Sequence, residues 1–349
     1  MSSQVSTAAT TPSAVPIETR KDPAIWSEFQ DVSLPLIDTE AVSVCCVCRS
    51  EQSVPFASGF DYELKTCRNK WQFVKCGKCG HVWLNPRPAI SALPIIYPRS
   101  YYAYTYESEV NGIARKAKAV LDRRKLQGII SSVPGRVESF VDVGCGDGRF
   151  LKAMESHGLN KSQIYGLELD TAVVDKLQRQ GYRALCKRVE DCTEIPENSA
   201  DLVTMFHVIE HVDRPELVIR QIARWLKRGG VLALETPNLD SFDARVFGRT
   251  FWGGYHIPRH WHLFYPQTLA RLLSDNGLTP MGTQFQTGHS FWMYSLHHAL
   301  RYARNWPGLA RVFNPFKSVI PLALFTAFDK ARAFVGQKTS AMLMLARKN

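Results

Sequence analysis

At 349 residues the chain holds one large domain or two smaller ones, and 45% apolar with 21% charged residues suits an ordinary soluble globular core. Forty-three Lys and Arg against 32 Asp and Glu leave a net +11, which attracts anions in general without choosing among nucleotides, acidic membranes and nucleic acid. The longest apolar stretch, residues 319–328, contains Pro321 and is too short to span a bilayer, so a transmembrane segment is excluded.

Residues 1–35 open with a Ser/Thr/Ala/Pro-rich run that lacks a basic start and an apolar core, and read as a disordered tail without a secretory or transit signal. The expected location is therefore the cytoplasm, where nine cysteines are thiols or metal ligands and not a disulfide framework. Residues 44–100 are dense in Cys, Gly, Pro and aromatics, which suits short strands and turns around a metal. A helical period runs over 113–133 and stops at Pro134-Gly135.

Strands and helices then alternate: strand 140–143, helix 150–157, strand 164–167, helix 172–180, a weak strand at 183–189, strand 202–206, helix 215–226 and strand 231–234. Lys227-Arg228-Gly229-Gly230 reads as the helix closure, with basic residues in the last turn followed by glycine. Such alternation predicts an α/β fold, a doubly wound (Rossmann-like) parallel sheet with helices on both faces. A helix at 268–275, an outer strand at 279–285 and a final apolar strand at 341–346 follow. Between the last two strands lies a helical insertion, about 291–335, with breaks at Pro307, Pro315 and Pro321. The organisation expected is a tail (1–35), a zinc-binding, acceptor-side domain (36–112) and a cofactor-binding domain (113–349).

The segment from Val141 to Gly148 joins an apolar strand to a helix, the place where open α/β sheets bind ligands. Its glycines, Gly144, Gly146 and Gly148, are spaced G-x-G-x-G and not G-x-G-x-x-G as in a dinucleotide site. Asp142 and Asp147 place negative charge where a diphosphate would need none. Asp142 is suited to the ammonium of an amino acid, as in S-adenosylmethionine. Glu168 ends the next strand and is placed on the ribose hydroxyls, with Asp170 as its rival. Asp191 and the Cys192 amide follow the third strand and are placed on the adenine, with Glu190 as the alternative.

These pieces resemble the class I S-adenosylmethionine-dependent methyltransferases over roughly residues 113–349. Val141 to Gly148, Gly166-Leu167-Glu168, His207-Val208-Ile209-Glu210-His211-Val212, Leu226 to Gly230 and Glu235-Thr236-Pro237-Asn238 carry the match. The resemblance implies a seven-stranded sheet whose last strand is antiparallel, and methyl transfer by direct displacement at the sulfonium carbon.

Cys45-x-x-Cys48 and Cys76-x-x-Cys79 form two pairs, with 27 residues between the inner cysteines. Four thiolates complete a tetrahedral zinc site and leave no open position, so the metal is expected to be structural. Only Cys45 gives the two-residue gap, although Cys46 is adjacent. The run C-x-x-C-G-x-x-x-L-N-P-R-P, with the aromatic stretch after it, resembles the N-terminal zinc domain of the sugar C-methyltransferases. That resemblance implies a domain lining the acceptor site, with Tyr101, Tyr102 and Tyr104 as contacts.

Methyl transfer from a protonated acceptor needs a base, and histidine suits neutral pH. His207, Glu210 and His211 follow the fourth strand. His207 is placed with the cofactor, His211 is the first candidate base, and Glu210 orients or replaces it. A second cluster, Trp252 to His262, offers His260 and Tyr255 for acceptor binding or proton removal, and its aromatics and Arg259 suit a sugar ring or a phosphate. The expected acceptor is a small polar molecule, with a nucleotide-linked sugar or glycan precursor foremost. The rival is an RNA-binding zinc protein or RNA methyltransferase, which the absence of a basic finger disfavours. The insertion's basic residues beside apolar faces also admit peripheral contact with an anionic membrane.

Overall fold

The protein is described here from a computed structural model covering residues 28–29, 31–98, 112–315 and 317–349, with only the backbone course given for 112–119. Most of the expected N-terminal tail, and Tyr101, Tyr102 and Tyr104, lie outside these residues. Where the tail enters the described part it is packed: the Phe29 ring stacks on Phe60 at 4.8 Å and is buried beside Tyr302.

The small N-terminal unit contains β1 (Thr39–Glu40), β2 (Ser53–Gly59), β3 (Trp71–Cys76), β4 (Val82–Leu84), β5 (Arg87–Pro88) and the short helix α1 (Leu93–Ile96). The helix α2 (Gly112–Ile130) leads into the larger unit. There β6 (Phe140–Val143), α3 (Arg149–Ser156), β7 (Ile164–Leu167), α4 (Thr171–Arg179), β8 (Arg183–Leu185), β9 (Ala200–Phe206), α5 (Pro215–Trp225) and β10 (Leu226–Pro237) alternate as expected. After α6 (Phe242–Phe247), β11 (His262–Leu263) and α7 (Pro266–Ser274) come β12 (Leu278–Gln286), the insertion helices α8 (His289–His298), α9 (Pro307–Ala310) and α10 (Val319–Phe334), and β13 (Ala341–Lys348).

The seven-stranded sheet has the order β12-β13-β10-β9-β6-β7-β8. β6, β7, β8, β9 and β10 pair in parallel, and β13 runs antiparallel to both neighbours. Its central strands read as near-continuous apolar runs because both faces are covered, whereas the edge strand β12 is largely exposed. Along β10, Leu232 and Leu234 enter one core cluster, while Val231 and Ala233 enter the other. The chain moves from β6 outward to β8, then returns to place β9 on the other side of β6. The crevice outside the carboxyl ends of β6 and β9 is therefore the topological switch point.

Three local expectations are corrected. The third strand stops at Leu185, and Val189–Asp191 form a 3-10 turn instead. Lys227-Arg228-Gly229-Gly230 does not close a helix. The chain is already extended at Leu226, and this stretch is an irregularity in the β9–β10 pairing, with Gly229 at φ +80 and Lys227 on Asp201 at 2.8 Å. Pro321 does not break the insertion, because it sits in the first turn of α10, where no backbone N–H partner is lost.

The two units are not sequential. β11 pairs with β4 and completes a four-stranded sheet, β11-β4-β3-β2, so the small unit takes its last strand from beyond β10. Cys45, Val47, Val74, Cys76 and Trp83 join the core on one face of the large sheet.

Candidate active site

The glycine loop sits at the switch point. Gly144, Gly146 and Gly148 have φ of +70, +50 and +76, the left-handed region that glycine enters without strain. A Cβ on Gly144 would lie 2.4 Å from Val208 Cγ2, which shows how closely the loop abuts the 207–211 turn. Asp142 is buried at the end of β6. Its Oδ1 accepts from Thr204 at 2.6 Å, and its Oδ2 is buried with no hydrogen-bond partner. Burial pushes this carboxyl up to about 7, and the Thr204 hydroxyl offsets only part of that.

Glu168 follows β7 and reaches back to the loop, accepting from Gly146 N at 3.0 Å and Leu169 N at 2.7 Å. Its rival Asp170 is committed as the N-cap of α4, accepting from Ala172 N and Val173 N. Asp191 is exposed on the turn after β8, while Glu190 pairs with Arg188. The Cys192 amide donates to Val189 O at 3.2 Å, and its thiol is packed in the core.

Beyond β9 the 207–211 turn carries the histidines. His207 is held at φ +55, with Nδ1 3.3 Å from Glu210 Oε1 and Nε2 3.5 Å from Glu235 Oε1. Glu210 is fully buried and accepts from Thr236 Oγ1 at 3.0 Å. Burial alone would raise its pKa, but the hydrogen bond from His207 and the electrostatics of that ring outweigh it, so the net shift is downward. His211 Nδ1 lies 3.0 Å from the Arg259 carbonyl and 3.0 Å from the Tyr97 hydroxyl. A carbonyl only accepts, so this nitrogen carries the proton and Nε2 holds the lone pair. By the same reasoning His260 Nδ1 donates to Gly254 O at 2.8 Å and its Nε2 is unprotonated, 4.0 Å from Glu210 Oε1. The two rings meet edge to face with centroids 4.6 Å apart. Burial lowers His211 to about 4, with Glu210 offsetting part of the drop, and drives His260 well below its usual value. Both are neutral at physiological pH.

Residues 111–281 match a family model described as a methyltransferase domain. A ubiquinone biosynthesis O-methyltransferase from Bordetella avium is 30% identical over 176 residues, which make up 45% of this chain and 68% of that protein. This chain belongs to the S-adenosylmethionine-dependent methyltransferases. The mitochondrial ubiquinone biosynthesis O-methyltransferase of Candida albicans is 36% identical over 126 residues, 34% of this chain and 37% of that one, so the match to this relative spans little more than a third of its length. A crystal structure of a SAM dependent methyltransferase from Archaeoglobus fulgidus aligns over 66% of this chain and 94% of its own, with 16% identity and a TM-score of 0.44.

Within this methyltransferase the 252–262 segment serves packing more than was expected. Tyr255 stacks on Phe73 at 5.0 Å in the third core cluster, and its hydroxyl donates to the Gly248 carbonyl. A phenol buried in this way is not presented to an acceptor. Arg259 is fully buried and forms a two-pronged pair with Asp61 at 2.9 and 3.1 Å, its Nε donating to Ile96 O at 2.8 Å. It is therefore engaged within the fold, and the expected phosphate contact is corrected. Sequence reasoning gave no role to Asp61, Glu63, Tyr97, Thr204 and Thr236, although Thr236 lies in the Glu235-Thr236-Pro237-Asn238 run. Each reaches the site or its supports from another element, Glu63 through His256 Nδ1 at 2.7 Å.

The paired cysteines converge. One sulfur from each of Cys45, Cys48, Cys76 and Cys79 lies within 4.8 Å of the others, with Cys45–Cys79 at 3.6 Å and Cys48–Cys76 at 3.4 Å. Burial would raise the Cys76 thiol, but the Lys78 and Cys79 amides, which donate to its sulfur at 3.4 and 3.5 Å, help bring it down to about 6.

Proposed function

We propose that this chain methylates an oxygen of a small, phosphate-free acceptor, with His211 taking the acceptor's proton. The observation that carries this reading is the pair of buried neutral imidazoles, His211 and His260, whose Nδ1 atoms are tied to backbone carbonyls so that Nε2 keeps the lone pair, at the 207–211 turn that abuts the glycine loop through Val208. S-adenosylmethionine, when bound, supplies the methyl group. The residues present fit its amino acid half on two observations: the orphaned Oδ2 of Asp142 asks for a cationic donor, and the glycines leave backbone bare for close approach. Glu168 is positioned for the ribose, with Asp191 at the adenine side and His207 on the rim. His211 Nε2 receives the proton while Arg259 O holds its other nitrogen, and ionised Glu210 keeps the histidine cluster oriented.

An oxygen acceptor is favoured over a nucleotide-linked sugar because Arg259, the cation expected to meet a diphosphate, is engaged with Asp61. The named relatives, all ubiquinone biosynthesis O-methyltransferases, agree with this choice. The four-cysteine cluster fits a structural Zn²⁺, since tetrahedral Zn–S bonds of about 2.3 Å give S–S edges of about 3.8 Å. Contact with an anionic membrane is part of the same reading, supported by the apolar, basic outer surface of the insertion.

Calorimetry with S-adenosylhomocysteine, paired with turnover on phenolic hydroxyl acceptors and nucleotide-linked deoxysugars, tests the proposal. Binding is expected, and only the hydroxyl acceptors should turn over. Asp142→Asn should weaken binding by about 10- to 100-fold, the loss of one charge-assisted hydrogen bond of about 1.5–3 kcal/mol. A carboxyl raised to about 7 is charged only above that pH, so affinity should rise between about pH 6 and 8 in the wild type and stay level in the variant. Absent binding would refute the cofactor reading, and turnover confined to the sugars would refute the acceptor.

A further inference from the structure

Cys46 stands between two of the paired cysteines, yet its thiol faces elsewhere. Its sulfur lies 3.4 Å from His81 Nε2 and 3.7 Å from His262 Nδ1, and those two nitrogens are 3.1 Å apart. Both imidazoles are buried. A zinc ion with Zn–N of about 2.0–2.1 Å and Zn–S of about 2.3 Å in tetrahedral geometry has N–N edges of about 3.3 Å and N–S edges of about 3.6 Å. The observed triangle has these proportions.

Hydrogen bonding alone does not account for three mutual contacts. Each imidazole nitrogen presents either one N–H or one in-plane lone pair. Once the two rings have bonded to each other, neither nitrogen has a second function to offer the thiol. A cation in front of the triangle meets all three ligand atoms at once.

We propose that Cys46, His81 and His262 form a second divalent-metal site, separate from the four-cysteine cluster and of the zinc class. A thiolate with two imidazoles is a donor set for borderline-soft ions, not for Mg²⁺ or Ca²⁺. On binding, Cys46 releases its proton to solvent and the histidines coordinate as neutral rings. Glu216, in the first turn of α5, adds negative charge: it acts on the Cys46 thiol, and its Oε2 is buried without a hydrogen-bond partner. A water completes the four.

The position of the site suggests its purpose. Cys46 and His81 belong to the small unit, and His262 comes 181 residues after His81, on β11. The metal clamps β11 onto β4, where His262 is paired with Trp83. His260 lies two residues earlier, so the clamp acts as a positioning device for the histidine pair. The site stands independently of the four-cysteine reading; only this positioning role depends on the proposed function.

Metal counting on the full chain after Co²⁺ titration, with Cys46→Ser and His262→Gln as variants, tests the site. The wild type should saturate at two equivalents and each variant at one, a twofold drop, with the four-thiolate spectrum unchanged. A wild type saturating at one that both variants retain, or variants still holding two, would overturn the proposal. One equivalent that both variants lose would support this site and refute the four-cysteine one. Should a variant fail to fold, the wild-type titration still decides: saturation at two with a charge-transfer intensity in the ratio 5:4 to that of the first equivalent alone supports the extra thiolate, and saturation with four-thiolate character only rejects it.

Discussion

A histidine that must accept a proton at neutral pH has to arrive without one, and the surroundings of His211 ensure this. Burial carries its pKa to about 4, so the neutral form dominates at every pH above that. At saturating S-adenosylmethionine, the acidic limb of the pH–kcat profile should therefore fall below about pH 5 and not near the ordinary histidine value of about 6.5. His211→Gln should lower kcat by about 10²- to 10⁴-fold, the usual contribution of a positioned base, while the affinity for S-adenosylhomocysteine changes less than about twofold. Full turnover in the variant would move the role to His260, and an unshifted limb near pH 6.5 would move it away from both buried histidines. The candidate residue was legible in the sequence because it follows a strand end. Its depressed pKa was not, since that arises from Tyr97 and the 256–260 segment folding over it from far along the chain.

At the level of elements, period and punctuation revealed the large sheet but not the way the units interlock. Strands β6, β7, β9 and β10 contain apolar runs closed by glycine, acid or histidine, and such runs can be read without a structure. β11 has two residues, too few for any alternation, and its partner β4 lies about 180 residues earlier. The Arg259–Asp61 pair was hidden for the same reason: the arginine of Pro258-Arg259-His260 looked like an anion contact until the fold placed a carboxylate against it. Removing one partner of a fully buried pair leaves an uncompensated charge, which costs about 3–5 kcal/mol. Asp61→Asn should thus destabilise the protein by roughly that amount in denaturant unfolding. Pairing it with Arg259→Met should recover part of the loss, because the stranded charge is gone. Equal losses in the single and double variants would show that packing, not the ion pair, holds the 256–260 segment to the small unit.

For the whole molecule, the net charge of +11 acquires meaning only from where the apolar surface lies. Among the described residues, exposed large apolar side chains concentrate at 306–335, with Ile320 75%, Leu324 65% and Phe334 91% exposed. On α10 the exposed positions are 319, 320, 323, 324, 327, 328, 330, 331 and 334, a single helical face. From residue 290 to the end of the sequence Asp329 is the one acidic residue, and it is turned inward to accept from Gly288 N and Trp292 Nε1. No helix of the described residues is long and apolar enough to cross a bilayer. In the reading proposed above, this exposed face would lie in the headgroup region and Arg304, Arg311 and Lys317 would meet anionic lipid. Vesicles containing anionic phospholipid should co-sediment the protein, and neutral ones should do so far less. Raising salt should weaken the association, since exposed charges are screened beyond about 8–10 Å. Ile320→Asp with Leu324→Asp should reduce binding at least tenfold, because each apolar side chain contributes on the order of 1.5–3 kcal/mol when buried. Both residues are solvent-exposed, so the folded state should tolerate the change and cofactor affinity should hold. If the wild type instead ignores vesicles and scatters light as a dimer that the same variant splits, the face is a seam between two copies and the membrane reading fails.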